Sequence, residues 1–326
     1  MASALIGGAS GKFTHWENDM ATVIAYDDAK VNQVTNTGVD GSRNVSTPLL
    51  GKRGNPDLPL AALVTFAPGR LSTPHFHDVP QYQIMLGGRG KLGRHDIKTN
   101  SVHFSRPNTP YGPFTAADDS SLTCLIIRSR PDTGAQHDAA AIAQLNKMPN
   151  RNPWQVTHDV KFPDVSAESV ALLAVPELQD KHGLATYTLC MKPGTTALTP
   201  DPSIGEGLFV VVQKGSLIHE QKEAKAMTLV YVSNKEGPYE IRAGAEGLEG
   251  LIVRFPNPVT QSDLAAKGAK PGERSYQCLL CAFAYEEKKG VPEDGIAPGT
   301  HWENVPADWT CPDCAADKSG FELLEL

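Results

Sequence analysis

The chain has 326 residues, enough for two or three domains of ordinary size. Hydrophobic residues make up 40% and charged residues 21%, which suits a globular protein with a buried core, and no apolar run is long enough to span a bilayer. The formal charge of −7 excludes the basic face that a nucleic-acid partner requires.

Residues 1–10 are mildly apolar and lack a basic n-region, so no signal peptide is read there and the expected location is the cytoplasm. The 29 glycines and 25 prolines are spread along the chain, which favours many short strands joined by turns. The expected class is mainly β. Residues 61–66 read as a strand ending at Pro68-Gly69. After five residues come His75-Phe76-His77, then Gln81 and Gly88. Histidines two apart leave a strand on the same face, so both imidazoles can reach one metal ion. Tyr82 and His103 stand on neighbouring strands, and either side chain type could replace a ligand. His95-Asp96 lies in a polar hairpin and reads as surface. Cys124 and Cys190 each stand alone in an apolar strand-like run, where cysteine behaves as a small buried hydrophobe. Between those runs, residues 132–148 read as a connection with one helix over 136–148.

The first half repeats. Pro193-Gly194 is followed after five residues by Pro200-Asp201-Pro202, then Glu206, with Gly215 beyond, an offset of 125 from the first copy (68 to 193). Pro238-Tyr239 echoes Pro110-Tyr111. Proline cannot ligate metal, so the second copy is expected to be metal-free, with Glu206 in a polar contact and a structural role for the whole unit.

The first copy resembles the first motif of the cupin superfamily, G-x5-H-x-H-x3,4-E-x6-G, and residues 100–112 resemble its second motif. Two copies imply a bicupin, two antiparallel jelly-roll barrels side by side. The resemblance implies a metal held by His75 and His77, with Fe(II) the expected ion. The family's third ligand position holds Gln81 in place of Glu, and the fourth, normally His, holds Tyr111. An amide oxygen is a weak neutral ligand, whereas Tyr can ligate, donate a hydrogen bond or act as acid or base. Open positions for oxygen or substrate would follow, as in non-heme iron enzymes. The alternative is a metal-free ligand pocket, because two histidines without a carboxylate bind divalent metal poorly.

Residues 257–275 are polar with Gly and Pro and read as a linker. Beyond it lie Cys278, Cys281, Cys311 and Cys314, a C-x2-C-x29-C-x2-C pattern. Without a secretion signal this reads as a metal site before disulfides. Each two-residue spacing lets one tight turn aim two sulfurs at one ion, and two turns make a four-sulfur site for Zn or Fe. The surrounding Tyr276, Tyr285, Gly290, Gly295 to Thr300, Pro306, Trp309, Pro312, Lys318 and Phe321 resemble rubredoxin along its whole length. That implies one iron passing single electrons. Ala282 and Ala315 stand where the family prefers glycine; a non-glycine residue at positive φ costs on the order of 1 kcal/mol. Trp302 stands where Phe is common. Residues 275–326 hold ten acidic residues and three lysines, so this module carries the whole net charge.

The expected domains are residues 1–132, an N-terminal cupin barrel; 133–258, a second barrel that has lost its metal motif; 259–274, a linker; and 275–326, the rubredoxin-like iron domain. The leading expectation for function is an iron-dependent oxygenase. It would act on a small organic substrate, aromatic compounds included, with Gln81 and Tyr111 in the inner pocket. Electrons would come from an NAD(P)H-dependent reductase docking on the acidic module. A non-redox lyase or isomerase using Tyr111, and a redox sensor with a metal-free cupin, are the alternatives. No nucleic acid or membrane partner is expected, and the state is monomer or homodimer.

Overall fold

The computed structural model describes residues 16–17, 21–37, 43–51, 58–93, 95–137, 141, 144–145, 154–164, 168–259, 274–278, 283–312 and 316–324. Strands dominate them. Most of the segment 136–148, where a helix is expected, and most of the linker lie outside the described residues.

The first barrel closes a seven-stranded sheet over a four-stranded one. In the larger sheet the order is Gln155–Asp159, Ser101–Ser105, Gln81–Gly87, Leu122–Arg128, Leu60–Phe66, Arg43–Leu50 and Val34–Thr37. The second barrel is built on a nine-stranded sheet centred on Leu208–His219 and Glu240–Arg254. A three-stranded sheet of Ala284–Glu286, Ser275–Cys278 and Phe321–Leu324 forms the C-terminal module.

Strand Gln81–Gly87 shows how the residue pattern selects this arrangement. Its first five residues are all buried, and successive strand side chains point to opposite faces, so both faces must be covered. Tyr82 and Ile84 join a core with Phe104, Leu125, Phe209, Val211, Leu251, Val253 and Phe255, which packs barrel against barrel. Met85 points the other way and packs with Leu92, Ile97, Tyr111, Phe114 and Cys124 inside the first barrel. Each fully buried large apolar side chain in this shared core contributes roughly 1.5–3 kcal/mol. Buried Arg106 adds a 2.9 Å ion pair to Asp180 across the same boundary.

Strand register sets the interior of the first barrel in rows. Gln155, Ser105, Gln81 and Arg128 are successive cross-strand partners, and Thr157, His103, Gln83, Ile126 and Ala62 form the next row. Sheet membership does not follow chain order. Strand Thr22–Ile24 pairs with Leu229–Val232 in the second barrel, whereas Gln155–Asp159 returns to pair with Ser101–Ser105 in the first. Each exchange gives a partner to strand-edge groups that would otherwise be open.

The glycine that closes the repeated motif has the same task in both copies. Gly88 has φ +80 and a Cβ there would lie 1.8 Å from Ser121 O; Gly215 has φ +69 and a Cβ would lie 2.0 Å from Gly247 O. Positive φ and backbone approach both require a residue without a side chain.

Tyr82 joins the barrels by more than packing. Its hydroxyl lies 3.3 Å from Ala185 O and 3.2 Å from Arg254 O, and accepts from Thr186 Oγ1 at 3.4 Å. Tyr82→Ala is expected to cost about 3–5 kcal/mol, and Tyr82→Phe about 1 kcal/mol, read from urea unfolding of the full chain. A Tyr82→Ala loss under 1 kcal/mol would show that the barrels do not depend on this contact.

Candidate functional site

A backbone bridge brings the two motifs of the first barrel together. His75 N donates to Tyr111 O at 3.1 Å and Tyr111 N to His75 O at 3.0 Å. The His75 ring centroid then lies 4.6 Å from that of Tyr111 and 5.4 Å from that of His77. His75 Nδ1 lies 2.9 Å from Thr73 O, so it carries the proton and leaves Nε2 as acceptor. Burial pushes the His75 pKa down to about 3, so the imidazole is neutral.

Gln81 and His77 are both engaged by Arg128, at the end of strand Leu122–Arg128. Arg128 Nε donates to Gln81 Oε1 at 2.7 Å, Nη1 to Asp132 Oδ1 at 3.2 Å, and Nη2 lies 3.2 Å from His77 Nε2. Asp132 Oδ2 meets His77 Nδ1 at 2.5 Å. Nδ1 therefore carries the proton and donates to the carboxylate, and Nε2 offers its lone pair to the guanidinium. Burial holds the His77 pKa below its ordinary value and Arg128 adds to that, against the opposing pull of Asp132. Gln81 spends its amide as well, with Nε2 donating to Tyr111 Oη at 2.5 Å. Burial pushes the Tyr111 pKa up, so the phenol keeps its proton.

These contacts decide whether the residues fit a metal. The lone pairs of His77 Nε2 and Gln81 Oε1 face a resident cation. At about 4 Å and an effective dielectric near 20, two unit charges repel by about 4 kcal/mol, and a divalent ion beside a guanidinium doubles that. Among the described residues, no three-donor cluster of His, Cys, Asp or Glu includes His75 or His77. The arrangement fits a guanidinium and does not fit a divalent ion.

The two substitute ligands point opposite ways. Tyr82 faces the other barrel, whereas His103 faces inward, with its ring 5.1 Å from that of Tyr111 and Nδ1 2.9 Å from Thr157 Oγ1. His95 and Asp96 are exposed, and Cys124 and Cys190 are buried. Glu206 lies 3.9 Å from Arg130. An apolar cleft of about 470 Å³, lined in part by Ser46, Pro48, Leu50, Val64 and Ile126, opens beside Arg128. Arg128, Asp132 and His137, whose ring lies 4.6 Å from that of His75, are site residues that the motif reading missed. The available signal was the arginine closing the apolar run Leu122 to Ile127 on the same face as Cys124 and Ile126.

In the second barrel Pro202 is buried in a short 3-10 turn. Tyr239, the counterpart of Tyr111, lies 2.9 Å from His219 Nδ1.

In the C-terminal module Cys278 and Cys311 are buried and not disulfide-bonded. Both turns close identically, Cys278 N donating to Phe283 O at 2.9 Å and Cys311 N to Ala316 O at 2.7 Å. Cys281, Cys314, Ala282 and Ala315 lie outside the described residues. Tyr276 stacks on Trp302 at 4.5 Å, and Tyr285, Trp309 and Phe321 complete the aromatic core. Glu287, His301 and Glu303 also bring donor atoms within 4.8 Å of one another. Glu287 already accepts from Trp302 N at 2.7 Å, and Glu303 pairs with Arg274 at 2.7 Å.

Two jelly-roll barrels followed by a small aromatic-cored cysteine module define a bicupin with an electron-transfer domain. The profile of the rubredoxin family matches residues 275–321. Rubredoxin of Acinetobacter baylyi is 55% identical over 53 residues, 16% of this chain and 98% of that protein. Through this module the chain belongs to the rubredoxin family, and the module implies iron and electron transfer. A candidate dioxygenase from Nostoc punctiforme aligns with a TM-score of 0.51 at 12% identity, covering 74% of this chain and 85% of that one. A cupin 2 conserved barrel domain protein from Leptotrichia buccalis aligns with a TM-score of 0.41 at 14% identity, covering 73% and 98%. At 12% identity the likeness to the Nostoc structure is one of fold alone. No helix among the described residues is long and apolar enough to cross a membrane.

Burial pushes the His103 pKa down to about 3 from the ordinary 6.5. Between those values the unfolded chain binds a proton that the native state refuses, so stability rises with pH. This contribution is complete above pH 6.5 and is lost as pH falls towards 3. Comparing urea midpoints at pH 7 and 4.5, His103→Gln is expected to remove on the order of 2 kcal/mol of the wild-type pH dependence. An unchanged pH slope would contradict a neutral buried His103.

Proposed function

We propose that the protein is an oxidoreductase in which the four-cysteine iron passes single electrons and the first barrel binds a small organic substrate. One observation carries the reading. Inside the first barrel, His103 Nε2 and Gln83 Oε1 are buried without a hydrogen-bond partner among the described residues. They belong to adjacent strands in one row, beside Tyr111. Each unsatisfied buried polar atom costs about 1–3 kcal/mol, which a bound polar molecule would recover. Tyr111 accepts from Gln81 and keeps its own proton for a ligand, so it suits the role of acid. The acidic module, with ten carboxylates against three lysines, suits docking of a basic NAD(P)H-dependent reductase.

The experiment is anaerobic. The full chain is reduced by NAD(P)H and a rubredoxin reductase, small carbonyl and aromatic compounds are added, and recovery of the oxidised iron spectrum is followed. A compound that reoxidises the iron is expected to do so about 100-fold more slowly in Tyr111→Phe, with reduction by the reductase unchanged. Equal rates in the two proteins would remove the first barrel from the reaction.

An oxygenase form of this reading would need Fe(II) at His75 and His77 and oxygen as co-substrate, and the Arg128 guanidinium on His77 opposes that ion. The mark of that form would be oxygen uptake matched to product and abolished in His75→Ala.

A further inference from the structure

We propose that the first barrel takes no divalent metal, because the Arg128 guanidinium is its built-in cation and stands where the ion of a cupin site would. The inference concerns the cation alone, and it holds whether or not Tyr111 serves as an acid. It does exclude the oxygenase form.

Three guanidinium nitrogens meet three acceptors. Nε faces Gln81 Oε1, Nη1 faces Asp132 Oδ1 and Nη2 faces His77 Nε2, at 2.7, 3.2 and 3.2 Å. Two of those acceptors, His77 and Gln81, occupy motif positions that would otherwise ligate metal. His77 also shows the outer contact of a metal-bound histidine, its Nδ1 on the carboxylate of Asp132. Here that contact orients the imidazole towards a guanidinium. The group is buried throughout, with Arg128 and Asp132 each 8% exposed, His77 4% and Gln81 0%. A buried positive charge requires a paired negative one, and Asp132 supplies it. The two charges cancel, and the other carboxylate that acts on His77, Asp78, accepts from Thr133 N and Oγ1.

The departure at Gln81 has a reason in this arrangement. Glutamate there would place a second carboxylate on one guanidinium and leave the site negative. The amide accepts from Arg128 with its oxygen and donates to Tyr111 with its nitrogen, which a carboxylate cannot do. Arg128 is therefore a positioning residue. Through Gln81 it sets the Tyr111 hydroxyl, and through His77 it sets the wall facing His75.

The test uses the iron-loaded full chain and Co²⁺ as probe, read by metal analysis after dialysis and by cobalt d–d absorption. Wild type is expected to hold one iron per chain and to take up no cobalt. Arg128→Ala opens the space and leaves His77, Gln81 and Asp132, so it is expected to bind one Co²⁺ at least tenfold more tightly than wild type. The d–d bands should vanish again in the Arg128→Ala, His77→Ala double variant. A second metal ion in wild type that is lost in His77→Ala overturns the proposal. So does an Arg128→Ala protein that folds, by circular dichroism, yet takes up no cobalt. If that variant does not fold, the metal count of wild type and His77→Ala decides the matter.

Discussion

A strand buried on both faces has to satisfy two different neighbours with alternate residues, and this constraint governs the first barrel. Along Gln81–Gly87 the even residues Tyr82 and Ile84 enter the shared apolar core. The odd residues Gln81 and Gln83 enter an interior where no bulk water is available to them. Polar groups in such a place must bond to one another or to a ligand. Arg128, at the end of the neighbouring strand, meets this need for Gln81 and His77 and brings Asp132 as its counter-charge. The row containing His103 and Gln83 is left with spare capacity. The group around Arg128 is closed by the protein itself, whereas His103 Nε2 and Gln83 Oε1 would gain from a polar ligand.

Much of the architecture was legible because it rests on local chemistry. Two CxxC turns, the aromatics between them, the Pro-Gly turns and the repeated glycine each impose a geometry through a few neighbouring residues. Gly88 and Gly215 show it, since each is required by its own φ and one approaching carbonyl. The exchange of strands Thr22–Ile24 and Gln155–Asp159 was not legible, because edge pairing depends on which sheet has an open edge in space. The candidate site was legible in the same partial way. His75, His77, Gln81 and Tyr111 do converge. Arg128 belongs to no motif, and only cross-strand register places it opposite Gln81. A reading that counts ligands sees two histidines and a vacancy, whereas one that counts charges must ask what neutralises Asp132.

The C-terminal module follows a different economy. Its core is small and aromatic, with Tyr276, Tyr285, Trp302, Trp309 and Phe321 in mutual contact. Lys318 Nζ caps Trp302 O and Val305 O at 2.9 and 2.7 Å while lying over the Trp302 ring. Below about 70–80 residues a hydrophobic core alone seldom suffices, and the iron that a rubredoxin module implies would supply the missing cross-link. The two described cysteines share one backbone bond pattern, Cys278 N on Phe283 O and Cys311 N on Ala316 O. Such a site is specialised for one-electron exchange, and it needs a partner site if bonds in an organic molecule are to change.

The second barrel tests this division of labour within one molecule. Its interior core consists of Leu189, Met191, Leu208, Val210, Val212, Val230, Val232 and Ile252, with Tyr239 among them. At the motif, Pro200 and Pro202 replace the histidines, and Val212, at 0% exposure, is an apolar residue of its central strand. The counterpart of Arg128 in this barrel is the buried Arg254, which ends strand Glu240–Arg254 and donates to the backbone carbonyls of Gly183 and Asp201 at 2.8 and 3.1 Å. In the first barrel Arg128 instead meets side chains of the polar pocket, Gln81, His77 and Asp132. A buried arginine at this strand end is thus common to both copies, and what differs is what it bonds to. Among the described residues, only in the copy with histidines and glutamines does that arginine bond to side chains of the motif, which ties Arg128 to the polar pocket.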